Sequence, residues 1–435
     1  MTSRIQNRIR SSEDNINVDR DRLSELPDDI IVRILSCMPT IDAVRTVLLR
    51  RFGNLWTFIH TLDFDMAEYV HKFCHRQKGC RRHIRWFYRF VHNVLMRHQN
   101  LSIERFHLCI ENIDFNSYDK RERADLDILV WSRFELCQQA KEICISDKYC
   151  CNSILPNFTS QFLVTLELGF CKFQGEFQFE LGFLKKLSLN RVWMTDESFQ
   201  RFIRGCPSLQ ELVISNPFMM KQLSLSAPNI DKLSLILTEN RRWENRLSLY
   251  FPNLKNLYLE IIPRQLDIVD VSSVRNIYIK YFLMKFISSD DLQFLHSIKK
   301  LQPSQCKWTR IVLELHDFCE SCLLGIYDLM KSLEQLEELI IYTTEDFKVR
   351  GDLLRIGLPS PYVKPQLKTI TLYGYRESWK SQIQLVKLLL KGAAALDELI
   401  IVPMNHRLEK EEELDFVKNV SSFPRASPTT RVIFS

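Results

Sequence analysis

Residues 184–189 read "LKKLSL", with Leu184, Leu187 and Leu189 at the apolar positions. The same spacing stands upstream as "LVTLEL" (163–168), with Leu163, Leu166 and Leu168. Downstream it recurs as "LQELVI" (209–214), "IDKLSL" (230–235), "LKNLYL" (254–259) and "VRNIYI" (274–279). It returns as "LEELII" (336–341), "LKTITL" (367–372) and "LDELII" (396–401), with weaker copies "IERFHL" (103–108) and "AKEICI" (140–145). Apolar residues at alternate positions of a short run mark a strand with one face buried. One such strand cannot bury its apolar face alone, so the copies are expected to stack on a shared core.

From Leu163 to Val274 the copies step by about 20–25 residues, the range of leucine-rich repeats. Beyond Val274 the steps lengthen to roughly 30 residues, so the array is expected to become irregular or to gain longer helices. Between strands, "TDESFQRFIRGCPSLQEL" (195–212) reads as a helix. Asp196 is the candidate cap, Phe199, Phe202 and Ile203 the apolar stripe, and Gly205 with Pro207 the stop. Residues 69–99 read as a second helical region, interrupted near Gly79. After "LKTITLYGY", the segments "SWKSQIQLVKLLLKGAAALDELII" and "LEKEEELDFVKNV" add helices and a strand.

The N-terminal part differs. In "LPDDIIVRILSCMP" (26–39), Ile30, Ile31, Ile34 and Leu35 recur at helical spacing behind Pro27, and Pro39 ends the helix. "TIDAVRTVLLRRF" predicts a second helix with Val44, Val47 and Leu48 on one face. So small a head has too little core to be comfortable alone and is expected to dock on something. The expected organisation is a disordered leader at 1–20, the head at 21–66, the repeats at 67–357 and a closing region at 358–435. The fold class is α/β, a helical head followed by a parallel-sheet solenoid and a cap.

The chain has 435 residues, 46% of them hydrophobic and 26% charged, an ordinary globular balance. Eleven glycines leave little room for phosphate-cradling loops, and a net charge of +6 does not indicate nucleic acid. The polar N-terminus lacks a secretory apolar region, and no long uncharged apolar run predicts a membrane span. The 13 cysteines are then expected to be reduced and mostly buried, in the cytoplasm or nucleus.

Both ends of the chain carry a resemblance. "LSELPDDIIVRILSCMPTIDAVRTVLL", running on to Trp56 and "IHTLDFD", resembles an F-box of the plant type. The region from about Leu358, with "LKTITL", an amphipathic helix, "LDELII" and "FPRASP", resembles the FBD domain that follows leucine-rich repeats in many plant F-box proteins. The resemblance implies a non-enzymatic substrate receptor of an SCF-type ubiquitin ligase. Its head would dock a Skp-type adaptor and, through it, a cullin. The adaptor contact carries over to Leu26, Pro27, Ile30, Ile31, Ile34, Leu35 and Pro39, with Val44, Val47 and Leu48 as a second apolar cluster. The chain departs from the family pattern at Leu49, Arg50, Arg51, Phe52 and Gly53, where a glycine inside a helix would cost about 1 kcal/mol. The alternative reading is a leucine-rich interaction scaffold with no ubiquitin role.

No catalytic constellation stands against this. G-x-S-x-G, the P-loop, H-E-x-x-H and the dinucleotide fingerprint are all missing from the sequence. His71, Cys74, His75, Cys80 and His83 are close together but match no common zinc spacing. Cys319 and Cys322 form a C-x-x-C at a strand–helix junction without a thioredoxin pattern around it. Arg76, Lys78, Arg81, Arg82, Arg85 and Arg89 read as a solvated face. Neither metal nor cofactor is expected, nor a membrane or nucleic-acid partner.

A protein substrate would meet the residues lying between the leucines, which face outward. In the early copies these are small or polar: Glu167, Ser188, Val213 and Ser234. In the later copies they are Tyr258, Tyr278, Ile340, Thr371 and Ile400, with Tyr342 and Tyr373 one step beyond the last apolar position. Tyrosine couples large contact area to a hydroxyl, so Tyr258 to Tyr373 is the expected recognition patch.

Overall fold

The computed structural model describes residues 23, 25–49, 52–73, 81–99, 103–110, 139–147, 158–173, 179–220, 224–227, 229–238, 247–261, 266–270, 273–281, 307–319, 335–350, 367–374, 379–404 and 410–434. The chain divides into two compact units, Met1–Ala140 and Lys141–Ser435.

The first unit opens with helices α1 (Asp28–Ser36) and α2 (Thr40–Arg45), followed by single 3-10 turns at Thr46–Leu48 and Leu55–Phe58. Strand β1 (Thr61–Asp65), helices α3 (Met66–Phe73) and α4 (Arg81–Arg97), and strand β2 (Arg105–Ile110) follow among its described residues. The two strands pair in parallel, Leu62 beside Phe106 and Phe64 beside Leu108. Phe64 meets Phe90 and Phe106 edge-on, and Tyr69 meets Phe87, so the helices close over the strands with aromatic rings. Two hydroxyls tie the head to β1. Ser36 accepts from the His60 amide at 2.9 Å, and buried Thr40 accepts from the Asp63 amide at 2.6 Å.

The second helix of the head is shorter than the sequence suggests. It ends at Arg45, tightens into a 3-10 turn, and leaves Leu49 extended. Thr46 and Val47 are β-branched, and the Thr46 hydroxyl donates to the Ala43 carbonyl at 2.6 Å, a local bond that competes with helix continuation. Gly53 consequently sits in a turn after buried Phe52, and the expected helix penalty does not arise.

The second unit is a parallel array. In chain order its main-sheet strands are β3 (Glu142–Asp147), β5 (Thr165–Gly169), β7 (Lys186–Asn190), β8 (Glu211–Ser215), β10 (Lys232–Leu237), β12 (Asn256–Ile261), β14 (Asn276–Tyr281), β15 (Arg310–Cys319), β16 (Glu338–Arg350), β17 (Thr369–Gly374), β18 (Glu398–Pro403) and β19 (Arg431–Phe434). Each pairs with the next in this order, all parallel. The tail strands β17 to β19 carry the same sheet on in register. Short strands fill some connections. β4 (Phe158–Thr159) pairs with β6 (Phe179–Glu180), and β9 (Ser224–Ser226), β11 (Leu247–Tyr250) and β13 (Leu266–Asp270) form a small parallel sheet of their own.

Inner residues are buried along the whole array, from Leu166 and Leu168 to Leu399 and Ile401. One backbone bond repeats at every step, from the Val164 amide to the Lys141 carbonyl through to the Arg431 amide on the Asp397 carbonyl. The register therefore survives steps of very different length, because added residues go into connections and not into the sheet. Three successive corners after β5, β7 and β8 use non-glycine residues at positive φ: Phe170 (56°), Arg191 (50°) and Asn216 (42°). They offset strain of about 1–2 kcal/mol each by stacking. The Arg191 guanidinium lies 5.4 Å from the Phe170 ring, and Asn216 bonds the Thr238 amide through its side chain.

Helix α5 (Asp196–Arg204) buries Phe199, Phe202 and Ile203, as its apolar stripe requires. Its cap is Thr195, whose hydroxyl accepts from the Ser198 amide at 3.2 Å, and not Asp196, which occupies the first turn. Gly205 ends the helix at φ −75°, so it is not there for a left-handed corner. A Cβ at Gly205 would lie 2.0 Å from the Phe179 carbonyl oxygen, and close approach explains the glycine. In the tail, α6 (Trp379–Gly392) buries Leu385, Val386 and Leu390, and α7 (Lys410–Ser421) buries Phe416 and Val420. Buried Gln382 donates to Thr343 at 3.2 Å and fills the space that Gly374 leaves free.

Candidate functional site

The head splits the apolar residues of its helices between inside and outside. Ile31 and Leu35 on α1 are buried, while Leu26, Ile30, Pro39 and Val44 are half-buried. Pro27 is exposed, and Ile34 is 39% exposed. After α2, Val47 and Leu48 are 50% and 86% exposed, and Leu49 follows at 52%. The early end of the helix causes this, since it turns Val47 and Leu48 away from the face that holds Val44. Charge sits at the back of the head, where Lys72 is paired with Asp42 and Glu68. On the strands, the His107 imidazole meets the Asp63 carboxylate at 2.6 Å.

On the outer face of the repeat sheet, side chains fall into rows that follow the register. The first row runs Thr165, Lys186, Glu211, Lys232, Asn256, Asn276, Arg310, Glu338, Thr369, Glu398, Arg431. Its charges neutralise one another. Lys186 lies 3.0 Å from Glu167 and 3.9 Å from Glu211, and Arg310 lies 2.9 Å from Glu338. The hydrogen bond it donates to Glu167 is the main reason the Lys186 ammonium is held above its usual range, with burial opposing it.

The next two rows diverge along the array. On β5 to β10 the second row is Glu167, Ser188, Val213 and Ser234. On β12 to β18 it is Tyr258, Tyr278, Val312, Ile340, Thr371 and Ile400, and the third row is Glu260, Lys280, Glu314, Tyr342, Tyr373 and Val402. The tyrosines form two stacks. The rings of Tyr258 and Tyr278 are 4.7 Å apart and nearly parallel, and those of Tyr342 and Tyr373 are 4.5 Å apart. All four are half-buried. Ile340 and Thr371 are 4% and 7% exposed, so in the free chain their side chains are closed to a partner. The accessible part of the expected patch is the tyrosines.

Three residues of this face lie beyond what was read from the sequence. Glu260, Lys280 and Glu314 form a chain of charge, with the ammonium 3.9 Å from the first carboxylate and 3.4 Å from the second. The Tyr258 hydroxyl donates to Glu260 and the Tyr278 hydroxyl to Glu314, each at 2.9 Å. Burial, and then these carboxylates, push both hydroxyls above the ordinary tyrosine range. Glu314 belongs to "WTRIVL" (308–313) and its continuation, a copy that hides because buried Trp308 stands in the first leucine position.

Cys74, His75, Cys80, Arg76, Lys78 and Cys322 lie outside the described residues, and so do the side chains of Arg81, Arg82, His83, Arg85 and Cys319. Among the described residues no group of histidine, cysteine and carboxylate side chains could hold a metal, and no helix is long and apolar enough to cross a membrane. Cys37, Cys109, Cys144, Cys171 and Cys206 are reduced, in no disulfide. Cys171 and Cys206 are buried, and burial pushes the Cys206 thiol up to about 12.

Comparison with known proteins agrees with the head and with the repeats. The F-box domain profile matches residues 23–57, and the profile described as FBD-associated F-box protein At5g56370, LRR repeats, matches residues 131–277. The Arabidopsis thaliana F-box/FBD/LRR-repeat protein At5g56420 is 28% identical over 95% of this chain and 99% of its own length. F-box/FBD/LRR-repeat proteins At4g26340 and At3g26920 of the same plant are 24% and 26% identical, each over 95% of this chain. The chain thus carries an F-box and FBD-associated leucine-rich repeats, and is similar along nearly all its length to the F-box/FBD/LRR-repeat proteins of Arabidopsis thaliana.

Proposed function

We propose that this protein is a non-catalytic substrate receptor of an SCF-type ubiquitin ligase, acting in the cytoplasm or nucleus. The head docks a Skp-type adaptor that links it to a cullin, and the repeat sheet holds a protein substrate. The observation that carries this reading is the exposure of Ile34, Val47, Leu48 and Leu49 inside the segment that matches an F-box. Single exposed apolar residues are ordinary, but four within one small head are what a docked partner would cover. The receptor then needs no nucleophile of its own. It accelerates transfer by holding a substrate lysine beside a conjugating enzyme, which is catalysis by proximity.

The test uses Leu48→Asp combined with Ile34→Asp. Both positions face water in the free chain, so the fold should persist, while a charge in the bound contact would cost several kcal/mol. Co-purification of a Skp-type adaptor should fall to background with an unchanged melting curve. Full adaptor capture by the double variant would remove the proposal and favour a repeat scaffold without a ubiquitin role.

A further inference from the structure

The tail leaves one side of its last strand open. Among the described residues β19 (Arg431–Phe434) pairs with β18 alone and stands at the end of the main sheet. The Arg431 amide donates to the Asp397 carbonyl, so by the alternation of a parallel ladder Arg431 and Ile433 turn their backbone groups to β18. Val432 and Phe434 turn theirs the other way, where the described residues offer no strand. The side chains agree with the backbone. Leu399 and Ile401 on β18 are 0% and 3% exposed, whereas Val432 and Phe434, their partners in register, are only half-buried. A strand edge is usually protected by a proline, a bulge or a free charge. β19 has no proline, keeps its register without a shift, and its one charge, Arg431, is paired with Glu398.

We propose that this edge takes the same strand of a second copy of the chain, antiparallel, about a two-fold axis at Ile433. In that register Val432 of each copy meets Phe434 of the other, and the open amides and carbonyls of both residues are satisfied at once. Half-buried Val432 and Phe434 cover each other on the inner face, and Ile433 meets Ile433 on the outer one. The two Arg431 side chains lie at opposite ends of the pair, so like charges do not meet. A strand of unrelated sequence would satisfy the backbone without matching these side chains. The strand is four residues long, so the contact is short and the pairing is reversible, growing with concentration. It uses neither the exposed apolar residues of the head nor the tyrosines of the outer face, and so stands apart from adaptor docking and from substrate binding.

The test is sedimentation equilibrium of the full-length chain over a concentration series, in which the average mass should climb from one copy towards two. Val432→Pro removes an amide that points to the open side and leaves the bonds of Arg431 and Ile433 to β18 in place, a substitution that edge strands tolerate. It should weaken association by about tenfold with the parent melting curve kept. Ile433→Lys sets two ammoniums against each other at the axis and should weaken association by charge, an effect that eases in high salt. Ile433→Cys should instead lock copies together under oxidation beyond any cross-linking of the parent, because the two Ile433 form the close, non-hydrogen-bonded pair. Should the proline variant melt early, the lysine and cysteine variants decide. One mass at every concentration, association unchanged in the lysine variant, or no added cross-link at Ile433→Cys would each overturn the proposal. So would a chain that stays single and takes a foreign extended peptide at β19, since the occupant is then a partner's strand.

Discussion

The early strands of the repeat sheet, β5 to β10, and the later ones, β12 to β17, have the same inside and different outsides. Inward, both present Leu or Ile at alternate positions, buried almost completely. Outward, the early half shows Glu167, Ser188, Val213 and Ser234 under a charge ladder closed by Lys186, whereas the later half shows stacked tyrosines beside a chain of Glu260, Lys280 and Glu314. The inner face is fixed by the need to fill a core at crystal-like density. The outer face has no such duty, so its composition is free to follow a partner. The contrast can be attacked from either side.

The largest expected effect concerns the shared inside. Leu189→Ala in β7 and Leu257→Ala in β12 each remove a buried side chain and should each cost about 2–5 kcal/mol in denaturant unfolding. A cost confined to one half would show that the two halves do not share a continuous core. Next comes a position found only in the early half. Gly205→Ala places a methyl against the Phe179 carbonyl, where backbone has to move, and should lower stability by about 1–3 kcal/mol in thermal unfolding. A neutral result would mean that the connection carrying Phe179 yields easily.

The smallest effect belongs to the later half alone. The fold raises the proton affinity of Tyr258 and Tyr278, so it favours their neutral form. The stabilisation is whole below the ordinary tyrosine value of about 10 and is lost as pH rises above it, because the unfolded chain gives up its protons first. Stability of the parent should therefore fall more steeply above about pH 10 than that of the Tyr258→Phe, Tyr278→Phe variant. Parallel curves would mean the hydroxyls are not held against the carboxylates in solution.

Much of this was legible in residues. The L-x-x-L-x-L copies located nearly every strand of the main sheet, since alternation of apolar residues is a local property. The helix at 196–204 announced itself through Phe199, Phe202 and Ile203. What was missed or misread depended on neighbours distant in sequence or on the exact place where a helix starts and ends. Gly205 was read as a helix stop, which it is, but its close approach to the Phe179 carbonyl was hidden, because Phe179 lies two strands back in the chain. Asp196 was read as the cap, one residue late, since the hydroxyl that accepts from the Ser198 amide is that of Thr195. Val47 and Leu48 were assigned to a helix face that ends before reaching them. Ile340 was read as outward-facing from the pleat, correctly, but a pleat says nothing about how deep its outer side lies.

The sequence by itself determined that this chain would stack short parallel strands behind a small helical head, because periodicity, capping and turn chemistry act within a few residues. Tertiary structure decided which residues face each other across strands that lie 20 and 36 positions apart, Tyr258 on Tyr278 and Tyr278 on Glu314. Connections of unequal length conceal that register in the sequence. The backbone ladder restores it, since each strand must satisfy its amides and carbonyls on the one before. An outward surface, with its rows of rings and charges, exists only once that pairing is made.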